Sequence, residues 1–144
     1  MSREPSHAPI RRRFRLPSSL EQLAPLRAQL RSLLRTLGLP EATIHDVVLA
    51  THEAAVNGMV HGNGGDETRR VEVEVTAGSG QLVVQVSDEG NGFGWREWLR
   101  RGLEHPPPPD ALSGRGIRVM ASVMDEVTYN RPGSAVRLTK RLEG

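Results

Sequence analysis

The chain has 144 residues, 37% of them hydrophobic and 25% charged, which is enough for one domain with a buried core and too apolar for a disordered protein. It contains no cysteine, which excludes disulfides, thiolate chemistry and cysteine-type zinc sites. The net charge is only +2, no apolar run approaches the roughly 20 residues of a membrane span, and the opening MSREPSHAPIRRR lacks the apolar stretch of a signal peptide. The expectation is therefore a cytoplasmic protein with no membrane partner.

Residues 1–9 read as a disordered tail and 10–142 as a single domain. IRRRFRLP alternates, with Ile10, Arg12, Phe14 and Leu16 on one side and Arg11, Arg13 and Arg15 on the other, the pattern of an edge strand. Those arginines, with Arg12, are the one dense basic cluster. The two Phe, two Trp and one Tyr do not interleave with them, so a solvated strand face is expected rather than a surface for direct nucleic-acid contact. Pro17-Ser18 opens a helix that Gly38 and Pro40 close, with leucines at 23, 26, 30, 33 and 37. That a/d spacing is too short for a coiled coil, and packing on the domain's own sheet is expected, with a homodimer seam left open.

A second helix is predicted from about Pro40 to His61. Ile44, Val48, Thr51, Ala55 and Met59 form one stripe, and Asp46, Ala50, Glu53, Asn57 and His61 form roughly the opposite one. Gly62-Asn63-Gly64-Gly65 ends it in a turn. Val71, Val73 and Val75, then Leu82, Val84 and Val86, alternate about Gly78-Ser79-Gly80 as a β-hairpin that delivers Asp88 at its end. A variable segment with four consecutive prolines, Pro106–Pro109, reads as loop or polyproline II. A helix from Ser113 to Met124 and strands near 126–130 and 135–141 complete the order β-α-α-β-β-loop-α-β-β. The fold class is α/β (α+β), a two-layer sandwich of a mixed, mostly antiparallel sheet with helices on one face.

Three segments carry chemistry. Glu53 and Asn57, one helical turn apart, point the same way with Cβ atoms about 6 Å apart. The Asn57 carboxamide oxygen suits Mg²⁺, which takes few protein oxygens, and Glu53 suits a proton acceptor. Asp88 at a strand end can accept a hydrogen bond from the exocyclic amine of adenine, with Gly90 and Gly92 letting the backbone approach a flat base. Gly114-Arg115-Gly116 opens a helix whose amides favour phosphate, and Arg115 can add a charged contact. His61 is placed on the Asn57 face. No Walker sequence and no early strand–GxGxxG–helix fingerprint occurs.

EAAVNGMVHGN, DEGNGF and GRGIRVMASVMDEV, with the closing GSAVRLTKRL, resemble the N-box, two glycine boxes and last strand of the Bergerat-fold (GHKL) ATP-binding domains. Within that family the chain is most similar to the small anti-sigma factor serine kinases of the RsbW and SpoIIAB type, over roughly residues 10–142. The resemblance implies ATP or ADP bound with Mg²⁺ under a lid, Glu53 as catalytic base, Asn57 as metal ligand and Asp88 as adenine reader. Gly90, Gly92, Gly114 and Gly116 would shape pocket and lid. Ser134 stands where the family usually has threonine and keeps the hydroxyl. The implied partners are a sigma factor and an anti-anti-sigma (STAS-domain) protein phosphorylated on serine or threonine. The alternative is an ATP-binding regulatory module that controls a partner without phosphoryl transfer.

Overall fold

Strand β1 (Ile10–Pro17) lies at the edge of the sheet, as its alternating pattern predicts. The computed structural model describes residues 9–90, 112–130 and 134–142. A 3₁₀ turn (Leu20–Gln22) leads into α1 (Leu23–Thr36), then come α2 (Glu41–Asn57) and a π-helical turn (Gly58–Gly62). Strands β2 (Arg70–Gly78) and β3 (Gln81–Ser87) form the predicted hairpin. Helix α3 (Leu112–Val123), β4 (Glu126–Tyr129) and β5 (Ala135–Arg141) follow.

The hairpin turn works because Ser79 (φ 56°) and Gly80 (φ 77°) both adopt the left-handed region, which matches the twist of the two strands. The strand order is β1-β2-β3-β5-β4. Every pairing among the described residues is antiparallel, in a sheet expected to be mixed but mostly antiparallel. The reason is topological: β3 and β4 run in the same direction across α3, but β5 inserts between them and pairs antiparallel with both.

One face of the sheet carries Val71, Val73, Val75, Leu82, Val84, Val86, Val136 and Leu138 into a core shared with the helices. The helices thus cover one face, as predicted. Burying each such side chain contributes about 1.5–3 kcal/mol. Helix α1 supplies Leu23, Leu26, Leu30 and Leu34, with Leu33 and Leu37 only partly buried. The stripe therefore follows the 3.6-residue period of a helix lying on its own core, not the heptad spacing read from the sequence. On the opposite face of the sheet, Arg13 pairs with Glu74 (2.9 Å) and Arg15 with Glu72 (3.2 Å), and Arg11 reaches Glu74 at 3.6 Å. Much of the basic cluster is thus matched by the carboxylates of the next strand.

Helix α2 departs from the prediction at its end. The expected helix to His61 stops at Asn57, and a π turn follows in which the Asn63 amide donates to the Gly58 carbonyl (2.7 Å). A turn with one extra residue rotates everything after it relative to Asn57. The predicted inner stripe (Ile44, Val48, Thr51, Ala55, Met59) is buried throughout. The other stripe is not a solvent face: Ala50 and Asn57 are also buried, and Glu53 is half-buried. Asp46 holds Lys140 of β5 at 3.2 Å, and Lys140 Nζ also donates to the Val123 carbonyl at the end of α3. No described helix is long and apolar enough to cross a membrane.

Candidate functional site

Helix α2 and its π turn carry both ends of the site. At one end, Gly116 of α3 lies against the stripe of α2 that carries Glu53 and Asn57. A Cβ built on Gly116 would stand 2.9 Å from Asn57 Nδ2, 3.3 Å from Glu53 Oε1 and 3.4 Å from Asn57 Oδ1. The missing side chain is what lets the start of α3 meet the Glu53–Asn57 pair, so two motifs about sixty residues apart in the chain converge. Asn57 is only 5% exposed, which fixes its carboxamide in place.

At the other end, Asp88 leaves β3 beside the π turn. Its amide donates to the Ser134 carbonyl (2.8 Å), and its Oδ1 accepts the Gly90 amide (2.8 Å). A side chain at Gly62 would overlap the Asp88 carboxylate, and a Cβ at Gly58 would lie 3.3 Å from Val71 and 3.5 Å from Asp88 Cβ. Gly90 in turn packs on the Gly62 carbonyl so closely that no Cβ fits. Burial pushes the Asp88 carboxyl above the usual aspartate range, and the Gly90 hydrogen bond partly opposes this.

Tyr129 of β4 connects the two ends. Together with Asn57, Gly58, Asp88 and Ser134 it lines a void of about 10 Å³, roughly one water in size. Burial raises the Tyr129 phenol to about 12. The neighbouring Asn57 side chain works against that rise, and the negative charge of Asp88 adds to it. The phenol is therefore neutral. Ser134 Oγ accepts from Asn130 Nδ2 (3.3 Å), which ties the start of β5 to the end of β4.

The sequence-predicted residues thus separate into groups. Glu53, Asn57 and Gly116 are brought together; Asp88, Gly90 and Ser134 are brought together; both groups sit along α2 and its π turn. His61 lies within the π turn and is exposed, whereas Asn57 is buried. Gly92 and the proline segment lie outside the described residues. Gly114 and Arg115 fall in the first turn of α3 by backbone, and their side chains lie outside what is described.

Sequence reasoning missed Asn63 and Tyr129. Asn63 was read only as part of a glycine-rich turn, yet it is 3% exposed and hydrogen-bonded on every polar atom of its side chain. Its signal was faint, since turn chemistry alone accounts for an asparagine between glycines.

Glu53 and Asn57 offer oxygen donors at one point, beside the space that a Cβ on Gly116 would fill. Among the described residues no three His, Asp or Glu side chains gather to hold a metal. This donor set fits Mg²⁺, which takes one or two protein oxygens and completes its shell with phosphate and water. A phosphate chain at the Gly116 end and a base at the Asp88 end would make an elongated nucleotide site floored by α2.

This fold and site define a class. The chain belongs to the family of histidine kinase-like ATPase domains, which it matches over residues 16–140. It is similar to the serine-protein kinase RsbW of Bacillus subtilis (strain 168), 29% identical over 136 residues, covering 91% of this chain and 85% of that protein. It is also similar to the anti-sigma F factor of Bacillus velezensis, 30% identical over 100 residues, covering 67% of this chain and 68% of that one. Among solved structures, the RsbU and RsbW domains of a Mycobacterium tuberculosis protein share the fold, with TM-score 0.56 at 19% identity over 95% of this chain. This chain spans about a third of that one (32%).

Proposed function

We propose that the chain is an ATP-dependent serine/threonine protein kinase acting as an anti-sigma factor. It would phosphorylate an anti-anti-sigma protein of the STAS type and hold a sigma factor inactive. The observation that carries this reading is the approach of Gly116 to Glu53 and Asn57. A pocket built only to hold nucleotide has no need of a carboxylate where the γ-phosphate would end.

In this reading Asp88 accepts a hydrogen bond from the adenine amine through the carboxylate oxygen that Gly90 leaves free. Asn57 would hold Mg²⁺, which supplies charge neutralisation along the phosphates when bound. The partner's serine oxygen attacks the γ-phosphorus, the bond from that phosphorus to the β–γ bridging oxygen breaks, and ADP leaves with the electron pair. Glu53 takes the serine proton. Such transfer depends on positioning and charge more than on covalent catalysis, so one carboxylate on a small domain suffices.

The names of the relatives support the class of partner, since both a serine-protein kinase and an anti-sigma factor are among them. The test is incubation with γ-labelled ATP, Mg²⁺ and a candidate STAS-domain protein. Labelled phosphoserine or phosphothreonine on the partner is the expected result. Nucleotide-dependent binding of the partner without label would replace the kinase by a regulatory ATP-binding module.

A further inference from the structure

Asn63 sits where three remote segments meet. Its Nδ2 donates to Ser18 Oγ (2.9 Å) at the end of β1 and to the Arg70 carbonyl (3.0 Å) at the start of β2. Its Oδ1 accepts the backbone amide of Glu89 (2.8 Å), the residue after Asp88. Both hydrogens of the amide face acceptors and its oxygen faces a donor, so the carboxamide has one workable orientation. Ser18 passes the chain on, donating its hydroxyl to the Arg69 carbonyl (2.8 Å). Glu89 answers from the other side: its Oε1 accepts the Arg70 amide (3.1 Å). The carbonyl and the amide of Arg70 are thus held by Asn63 and Glu89 respectively.

The effect falls on Asp88. Its own amide is fixed by Ser134, and the next amide along the chain is fixed by Asn63. With the main chain pinned on both sides, the carboxylate has little freedom to turn away from the π turn against which it packs. We propose that Asn63 is a positioning residue: by holding the Glu89 amide it aims the Asp88 carboxylate at the purine amine, and so sets the preference for adenine over guanine. The proposal rests on the nucleotide reading above. It assigns to Asn63 no contact with the nucleotide and no part in phosphate transfer.

Two substitutions separate this role from a merely structural one. Asn63→Ala removes all three bonds. Asn63→Asp keeps the shape and the acceptor for the Glu89 amide but loses both donor bonds, to Ser18 and Arg70. For Asn63→Ala the expected result is a KM for ATP and a Kd for ADP raised about tenfold, the size of one well-placed hydrogen bond. The ADP-over-GDP ratio should fall with them, while kcat at saturating ATP stays within about twofold. Asn63→Asp should lose melting temperature yet keep a wild-type ADP-over-GDP ratio. If one variant fails to fold, the other decides. The proposal is overturned if folded Asn63→Ala keeps the wild-type ratio, or if folded Asn63→Asp loses it. A wild-type protein that binds neither nucleotide removes the site itself, a different failure from a wild type that discriminates alongside an Asn63→Ala that does so equally well.

Discussion

Gly62 and Asp88 occupy one space: the carboxylate of Asp88 lies where any side chain at Gly62 would have to go. Gly62 is the last residue of the π turn that ends α2, and there it meets Asp88 just past β3. Gly62→Ala should therefore push the Asp88 carboxylate aside while leaving the sheet intact. The expected outcome is ADP affinity reduced by at least about tenfold with an unchanged far-UV circular dichroism spectrum, read by calorimetry.

Glu53 and Asn57 should fail in different ways. Glu53→Ala is expected to bind ATP normally and to lose about 10²- to 10⁴-fold in kcat, the usual contribution of a general base. Asn57→Ala should lose the Mg²⁺ dependence of nucleotide affinity. Equilibrium binding with and without Mg²⁺, beside steady-state rates, distinguishes the two.

How much of this was legible in the sequence depends on how local each cause is. Alternation at Val71–Val75 and Leu82–Val86, and the Gly-Ser-Gly turn between them, are short-range facts, and the hairpin follows from them. The three motifs could be assigned to a helix face, a strand end and a helix start for the same reason. The π turn at Gly58–Gly62 was not readable, because a helical period does not announce where one extra residue enters it. Asn63 was misread as a plain turn residue because its partners, Ser18, Arg70 and Glu89, are remote in the chain or hidden by its fold. The antiparallel character of the sheet depends on β5 inserting between β3 and β4, which no periodicity encodes.

Burial of Asp88 gives a pH dependence of definite sign. Its folded-state pKa lies above the unfolded one, so the cost of keeping it ionised is fully present above the folded value. That cost is relieved as pH falls through the folded value and is absent below the unfolded one. Asp88→Asn, which keeps an acceptor for the Gly90 amide, should melt higher than wild type at neutral pH. The difference should vanish on acidification through the folded pKa, as thermal melts across a pH series will record.

His52 gives the opposite case. Arg27 Nη1 stands 3.0 Å from its Nδ1, and since a guanidinium only donates, that nitrogen accepts and the ring is neutral. Burial first and the Arg27 charge second lower its pKa, while Glu53 raises it. The unfolded chain thus takes up the proton first, and stability should be lost as pH falls through the ordinary imidazole value toward the depressed one. Arg27→Leu should raise the His52 pKa, measured by NMR titration of the ring. An unchanged pKa would remove Arg27 from the balance.

Titration calorimetry of ADP into the folded wild-type protein in magnesium buffer, repeated with Asp88→Ala, tests the nucleotide site most directly. Saturable one-to-one binding that the substitution abolishes is the predicted result. No heat and no binding for the wild type, or equal affinity in both proteins, would contradict it.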